Sequence, residues 1–193
     1  MKDVWIAGAA MTAFGKRPEQ LQDLMADAAL ELLRGAGREP DALVVTTMSP
    51  EEFVGEGNFA SHMATYVGLS HVPAMRVETA TSSGAAALYA GFAMVASGLR
   101  QNVLVLGGEK MTHLSTPRVS EIISRVIDPH ERSYGATMPA LAAIVARAAL
   151  EGDWEFMGHG LLQKPIHQEL DQAGMIRASL EQIKRFTGKA PLG

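Results

Sequence analysis

Residues 83–97 run from serine to serine without one charged side chain. A helix over this stretch is apolar on every side, and such a helix belongs inside a layered protein rather than on its surface. Short apolar, β-rich runs surround it in the sequence, at residues 3–8, 42–46, 74–79 and 102–106, the last ending at Gly107 and Gly108. Each is too short and too apolar for a strand with one wet face, so together they predict a sheet covered on both sides. Residues 18–36 place Leu21, Leu24, Met25, Ala28, Ala29, Leu32 and Leu33 on one helical face, with Gly35 and Gly37 as the stop signal. A further helix is expected over 58–67. Strand and helix thus alternate, the pattern of an α/β layered domain with mostly parallel strands and right-handed crossovers.

The rest of the chain changes character. Residues 109–132 are charged and hold Pro117 and Pro129, which reads as a surface excursion with a short helix over 119–127. Residues 139–150 predict another apolar helix. From residue 151 the chain is more polar, with a last helix expected over 175–186, stopped by Gly188. The expected organisation is a core at 1–108, a helical excursion at 109–150 and a tail at 151–193.

With 193 residues, 47% of them hydrophobic, the chain is long enough for one large domain with a sizeable core. The 17 basic against 21 acidic residues leave a net charge of −4, and no basic run breaks the pattern, which argues against a nucleic-acid surface. The first apolar run is too short to span a bilayer or to serve as a secretory core, so a cytoplasmic location is expected. There is no cysteine, which removes disulfides, thiolate metal sites and thiol nucleophiles together. His62, His71, His113 and His130 are scattered without metal-ligand spacing, so no metal is expected. His159 and His167 in the tail carry no recognisable base motif. The 11 methionines, among them Met63, Met75, Met94 and Met138, read as adaptable core packing, and Trp154 and Phe156 as docking contacts.

Chemistry concentrates in Val77-Glu78-Thr79-Ala80-Thr81-Ser82-Ser83-Gly84, where a strand turns sharply into the uncharged helix. The first N–H groups and the dipole of such a helix favour a nucleophile or an anionic ligand at the turn. The plainer reading is that Thr81, Ser82 or Ser83 simply caps the helix. Glu78, expected in a buried strand, needs a partner or a proton, and Arg76 is a candidate for that partner.

Several blocks, in order along residues 3–147, carry a family resemblance. They are Ala10-Met11-Thr12-Ala13-Phe14-Gly15-Lys16-Arg17-Pro18-Glu19, Met48-Ser49-Pro50-Glu51-Glu52-Phe53 with Gly57-Asn58, and Val72-Pro73-Ala74 leading to Glu78-Thr79-Ala80 and Ser83-Gly84. Ala96-Ser97-Gly98, residues 103–108 with Glu109-Lys110-Met111-Thr112, and Tyr134-Gly135 with Met138-Pro139-Ala140-Leu141 complete the set. This resembles the N-terminal half of a thiolase, of the lipid-transfer or sterol-carrier-protein type, acetyl-CoA acetyltransferase-like. The resemblance implies one α/β half of a two-half enzyme, with helices around a mostly parallel mixed sheet and the active site between the halves.

It also implies that Thr81 stands where the family carries its acyl-accepting cysteine. Ser82, Ser83, Gly84 and Met138 are then the substrate-binding expectations, with a coenzyme A thioester as ligand and no covalently bound cofactor. The family's activating histidine, its oxyanion-hole residue and its second cysteine belong to the later half. A threonine hydroxyl needs an adjacent base where a cysteine is already partly thiolate. Two functions therefore remain open: a thiolase-like protein of acyl-CoA and lipid metabolism that depends on a second half or an OB-fold or zinc-ribbon partner, and a non-catalytic oligomerisation or accessory module or truncated remnant. Either implies a homo-oligomer, expected as a dimer, with the strand at 74–79 near the subunit contact.

Overall fold

β1 (Ala42–Thr46) is buried along its whole length and paired on both edges, and the other strands are placed by it. The computed structural model describes residues 2–35 and 37–150. β1 pairs in parallel with β2 (Ala74–Arg76), Leu43 opposite Ala74 and Val45 opposite Arg76. Its other edge pairs in parallel with β3 (Val103–Gly107), from Ala42 opposite Val103 to Thr46 opposite Gly107. The sheet order is therefore β2-β1-β3. Asp41 secures the start: its carboxylate accepts the N–H groups of Gln101 at 2.8 Å and Asn102 at 3.0 Å, fixing the register of β1 against β3.

Helices cover the two faces. On one, α1 (Leu21–Gly35) and α3 (Phe59–Tyr66) bury Leu21, Met25, Ala29, Phe59 and Met63 against Leu43, Val45, Leu104 and Leu106. On the other lies α4 (Ser83–Ala96), whose Gly91 comes so close to β3 that an added Cβ would meet Val105 Cγ2 at 2.8 Å. Val105 alternates with Leu104 and Leu106 along the strand, so α4 and the α1/α3 layer sit on opposite faces. The crossover through α3 moves from β1 to one edge and the crossover through α4 returns to the other edge. Opposite directions on opposite faces give both connections the same hand.

A four-residue helix, α2 (Pro50–Phe53), follows β1 directly. The boundary of two compact units, one ending at Ile122 and the other beginning at Ile123, falls in the last turn of α5 (Thr116–Ser124). In the second unit, α6 (Pro129–Ser133) is capped by the Asp128 carboxylate, which accepts the His130 N–H at 2.8 Å. α7 (Met138–Leu150) follows, where the Thr137 hydroxyl accepts the Ala140 N–H at 3.3 Å. The helix expected at 175–186, with His159, His167, Trp154 and Phe156, lies outside the described residues.

Five expectations change. Residues 3–8 form no strand: Trp5 is 84% exposed and Ile6 86%, because neither edge of the sheet takes the segment into its ladder. The strand expected over 74–79 stops at Arg76, so Glu78 is exposed beyond its end rather than buried within it. Met75 is also exposed, since β2 is an edge strand with one face open, whereas Met63 is fully buried as expected. The uncharged helix is covered on one side only: Leu88, Tyr89 and Phe92 of α4 are exposed while Ala87 and Gly91 are buried. Lack of charge does not fix how many sides are covered, and the described residues cover α4 on the sheet side alone. The helix expected over 119–127 begins earlier, at Thr116, where Pro117 fits the first turn that proline tolerates.

Replacing Asp41 by alanine leaves two backbone donors without their acceptor at the start of the sheet. The expected loss is about 1–3 kcal/mol of unfolding free energy, read from the midpoint of a urea titration; an unchanged midpoint would show that water replaces the carboxylate at no cost.

Candidate active site

Parallel strands direct their C-terminal ends to one edge of the sheet, and ligands of open α/β sheets gather there, at the point where the strand order reverses. That point here is the end of β1, flanked by the ends of β2 and β3. From β2 the chain makes one more ladder bond, Val77 N–H to Val45 O at 2.9 Å, and then turns. Residues Ala80–Ser82 form a single 3-10 turn that passes directly into α4.

Hydroxyl groups hold this elbow. Ser83 Oγ accepts the Thr79 N–H at 2.9 Å and donates to the Ala80 carbonyl at 2.5 Å. The Ser82 hydroxyl lies 2.8 Å from the Thr79 carbonyl and 2.9 Å from Thr79 Oγ1, and the Ser82 N–H donates to the same carbonyl at 3.2 Å. Both serines therefore bind backwards into the turn. The capping reading does not describe Ser82, which occupies the cap position of α4 without a side-chain cap bond. Ala80 adopts φ +52°, a left-handed conformation that costs an L-residue about 1–2 kcal/mol. Strain of this kind persists only where the surrounding bonds over-determine it, and it clusters at functional sites.

The outcome is a presented hydroxyl. Ser83 is buried and structural, whereas Thr81, Ser82 and Gly84 are exposed. Among the described residues Thr81 Oγ1 has no hydrogen-bond partner, so neither histidine nor carboxylate activates it there. Met138, also expected at the site, opens α7 in the second unit, half-buried. Of the histidines, His62 pairs through Nδ1 with Glu56 at 2.9 Å, His113 Nε2 lies 2.9 Å from the Phe53 carbonyl, and His130 packs edge-on against Tyr134. No group of three metal-ligating side chains occurs among the described residues.

Charged groups line the same edge. Arg76 bridges Glu51 at 2.6 Å and Glu78 at 3.6 Å, which answers the question of its partner. Glu109, two residues past β3, reaches across to the end of β1, where its carboxylate accepts the Met48 N–H at 2.8 Å and the Thr47 hydroxyl at 3.2 Å. Surrounding protein strips water from this carboxylate and pushes its pKa up, and the like charge of Glu78 adds to the rise; the bonds from Met48, Thr47 and the Lys110 N–H only partly offset it. Sequence reasoning did not single out Glu109 as a group of interest. The available signal was an acid immediately after the paired glycines that end a buried parallel strand.

A carboxyl group whose pKa is raised in the folded state binds protons there that the unfolded chain has already released, so stability falls as pH rises from the ordinary carboxylate range through the raised value. Glu109→Gln is expected to flatten that part of the stability–pH curve, and Glu78→Gln to bring the Glu109 titration back toward its ordinary value in a carboxyl-detected NMR titration. A Glu109 titration unmoved by Glu78→Gln would remove the coupling between them.

Comparison with known proteins fits this geometry. Residues 4–152 match the family described as "Thiolase, N-terminal domain". The acetyl-CoA acetyltransferase of Methanocaldococcus jannaschii is 38% identical over 151 residues, 76% of this chain and 38% of that protein. The enzyme of the same name from Methanothermobacter thermautotrophicus is 36% identical over 152 residues, 76% of this chain and 39% of that protein. A β-ketoacyl-[acyl-carrier-protein] synthase III of Campylobacter jejuni subsp. doylei is 33% identical over 118 residues, 58% of this chain and 36% of that protein. The chain thus spans less than two fifths of the length of these relatives. The parallel α/β sheet is consistent with the family match over residues 4–152, and the chain belongs to the thiolase superfamily through its N-terminal domain.

Proposed function

We propose that this chain forms the acyl-site half of a thiolase-like acyltransferase of acyl-CoA and lipid metabolism, completed by a second half or a partner protein. The observation that carries the reading is the elbow: a strained Ala80 and two inward-bonded serines present the Thr81 hydroxyl at the start of α4. Thr81 occupies the position of the family's acyl-accepting cysteine, with Ser82, Ser83, Gly84 and Met138 as substrate contacts and a coenzyme A thioester as ligand. A threonine hydroxyl becomes a nucleophile only when a positioned base takes its proton. Stabilising the developing oxyanion also needs donors aimed at one point. Both requirements fall to the completing half, so the isolated chain is not a self-sufficient thiolase. Among the described residues, the open face of α4, with Leu88, Tyr89 and Phe92, and the unpaired outer edge of β2 at exposed Met75 support assembly, with a homodimer and an OB-fold or zinc-ribbon partner as the forms proposed. A cytoplasmic location accompanies this reading.

A specific observation favours a second reading. The absence of any partner for Thr81 Oγ1 among the described residues suits a non-catalytic oligomerisation or accessory module equally well. Sedimentation velocity of the full chain with a short-chain acyl-CoA separates the two. Adenine absorbance that travels with the protein, and is lost in Gly84→Trp, supports the acyl site; Gly84 has open space where a side chain would fill the mouth of the elbow. A dimer free of adenine favours the accessory module.

Chemistry at the elbow has its own test. Thr81→Cys places a thiol at the start of a helix, where thiol pKa values fall below the ordinary value of about 8.5. The variant is expected to become acylated by an acyl-CoA, seen as one added acyl mass, while the parent chain alone is not. A Thr81→Cys protein with an ordinary thiol pKa and no acyl adduct would rule out the elbow as the acyl site.

A further inference from the structure

A second set of charged residues, remote in sequence from the elbow, converges within the first unit. Lys16, Arg17, Pro18, Gln20, Lys110, Thr112 and His113 line a cleft of about 280 Å³. The chain carries a net charge of −4, yet here residues 16 and 17 meet residue 110 to place three cationic side chains around one hollow. Lys110 is the unusual member. It is only 6% exposed, and its ammonium donates to the backbone carbonyls of Arg17, at 2.8 Å, and of Glu19. A buried ammonium is costly unless charge compensates it, and carbonyl dipoles supply only part of that compensation. An ammonium has three donors, so one remains after those two bonds.

The acidic groups nearby do not cancel the cluster. Glu19 is engaged by Arg17, whose Nε and Nη2 donate to its carboxylate at 3.1 Å and 2.6 Å, and Arg17 holds the Glu19 pKa down to about 2. Asp27 acts on Arg17 only through space, and the Asp23 carboxylate accepts the Gln20 N–H at 3.0 Å and the Tyr66 hydroxyl. Arg17 Nη1 is not used in the bonds to Glu19, and Lys16 is exposed without an ion pair among the described residues. His113 adds a ring whose Nε2 faces the Phe53 carbonyl, leaving Nδ1 over. Thr112 and Gln20 contribute neutral donors.

We infer that this cleft binds the phosphate group of a ligand, with Lys110 as the buried counter-charge and Lys16 and Arg17 as the outer contacts. A phosphate oxyanion brings several acceptors of high charge density, which suits ammonium and guanidinium donors converging from different parts of the chain. It also adds negative charge beside Lys110, whose present carboxylate neighbour, Glu19, acts on it only through space and is itself bonded to Arg17.

The test is a titration of the full chain with inorganic phosphate and with pyrophosphate, followed by phosphorus NMR and by the His113 ring protons. Chloride at matched ionic strength is the control. A saturable response is expected, weakened about tenfold in Lys16→Gln and again in Arg17→Gln, the usual loss for one charge-assisted hydrogen bond. Lys110→Met should abolish it, with far-UV circular dichroism to verify folding; if that variant does not fold, the two outer variants decide. Tighter binding of pyrophosphate assigns the site to a phosphate ester or diphosphate of a larger ligand, and equal binding assigns it to free phosphate. Thr81→Ala should respond like the parent, so this result stands or falls apart from the acyl site. A response that chloride reproduces, or that survives Lys16→Gln with Arg17→Gln, overturns the inference.

Discussion

The parallel pairing of β1 with both its neighbours is the constraint on which the rest of the structure depends. A strand buried on both faces and bonded on both edges must be apolar throughout, and Ala42–Thr46 meets that condition with a single threonine at its end. Because all three strands run the same way, every connection leaves from one edge of the sheet. Thr47 and Met48, the Arg76–Glu78 pair, the elbow and Glu109 are therefore neighbours by topology, although they span more than sixty positions in the chain. Topology places these groups together, and the hydroxyl bonds of Thr79, Ser82 and Ser83 then give the elbow its shape.

Much of this was legible in the sequence. The helical face of α1, the central strand, the uncharged helix and the strand–turn–helix junction were found from periodicity and composition, and the family resemblance agrees with the match to the thiolase N-terminal domain. The failures have physical causes. An apolar run such as Val4-Trp5-Ile6 signals a need for burial, but only the three-dimensional arrangement shows whether a strand is there to receive it. The same limit applies to α4, since lack of charge cannot say how many sides the same chain will cover. Glu109 escaped because its importance comes from contacts across some sixty residues, a separation that local pattern cannot report. Lys110 and the Lys16-Arg17 pair escaped for the same reason.

The exposed apolar groups share a common meaning. Trp5, Ile6 and Phe14 near the start, and Leu88, Tyr89 and Phe92 on α4, present large side chains to water at two places in the first unit. Where such groups form a large contiguous patch, they usually mark a contact surface.

The Asp41 clasp also has a bearing on synthesis. Its two acceptor bonds join positions sixty residues apart, and β1 has only one neighbour until β3 has been made. Until residue 107 has left the ribosome, the strand that organises the sheet has one edge unpaired and α4 has no β3 to rest on. Non-local parallel pairing of this sort folds slowly because the loop must close before the contacts form. During that interval the nascent chain carries an uncharged helix without its β3 support, the kind of transient exposure that favours aggregation.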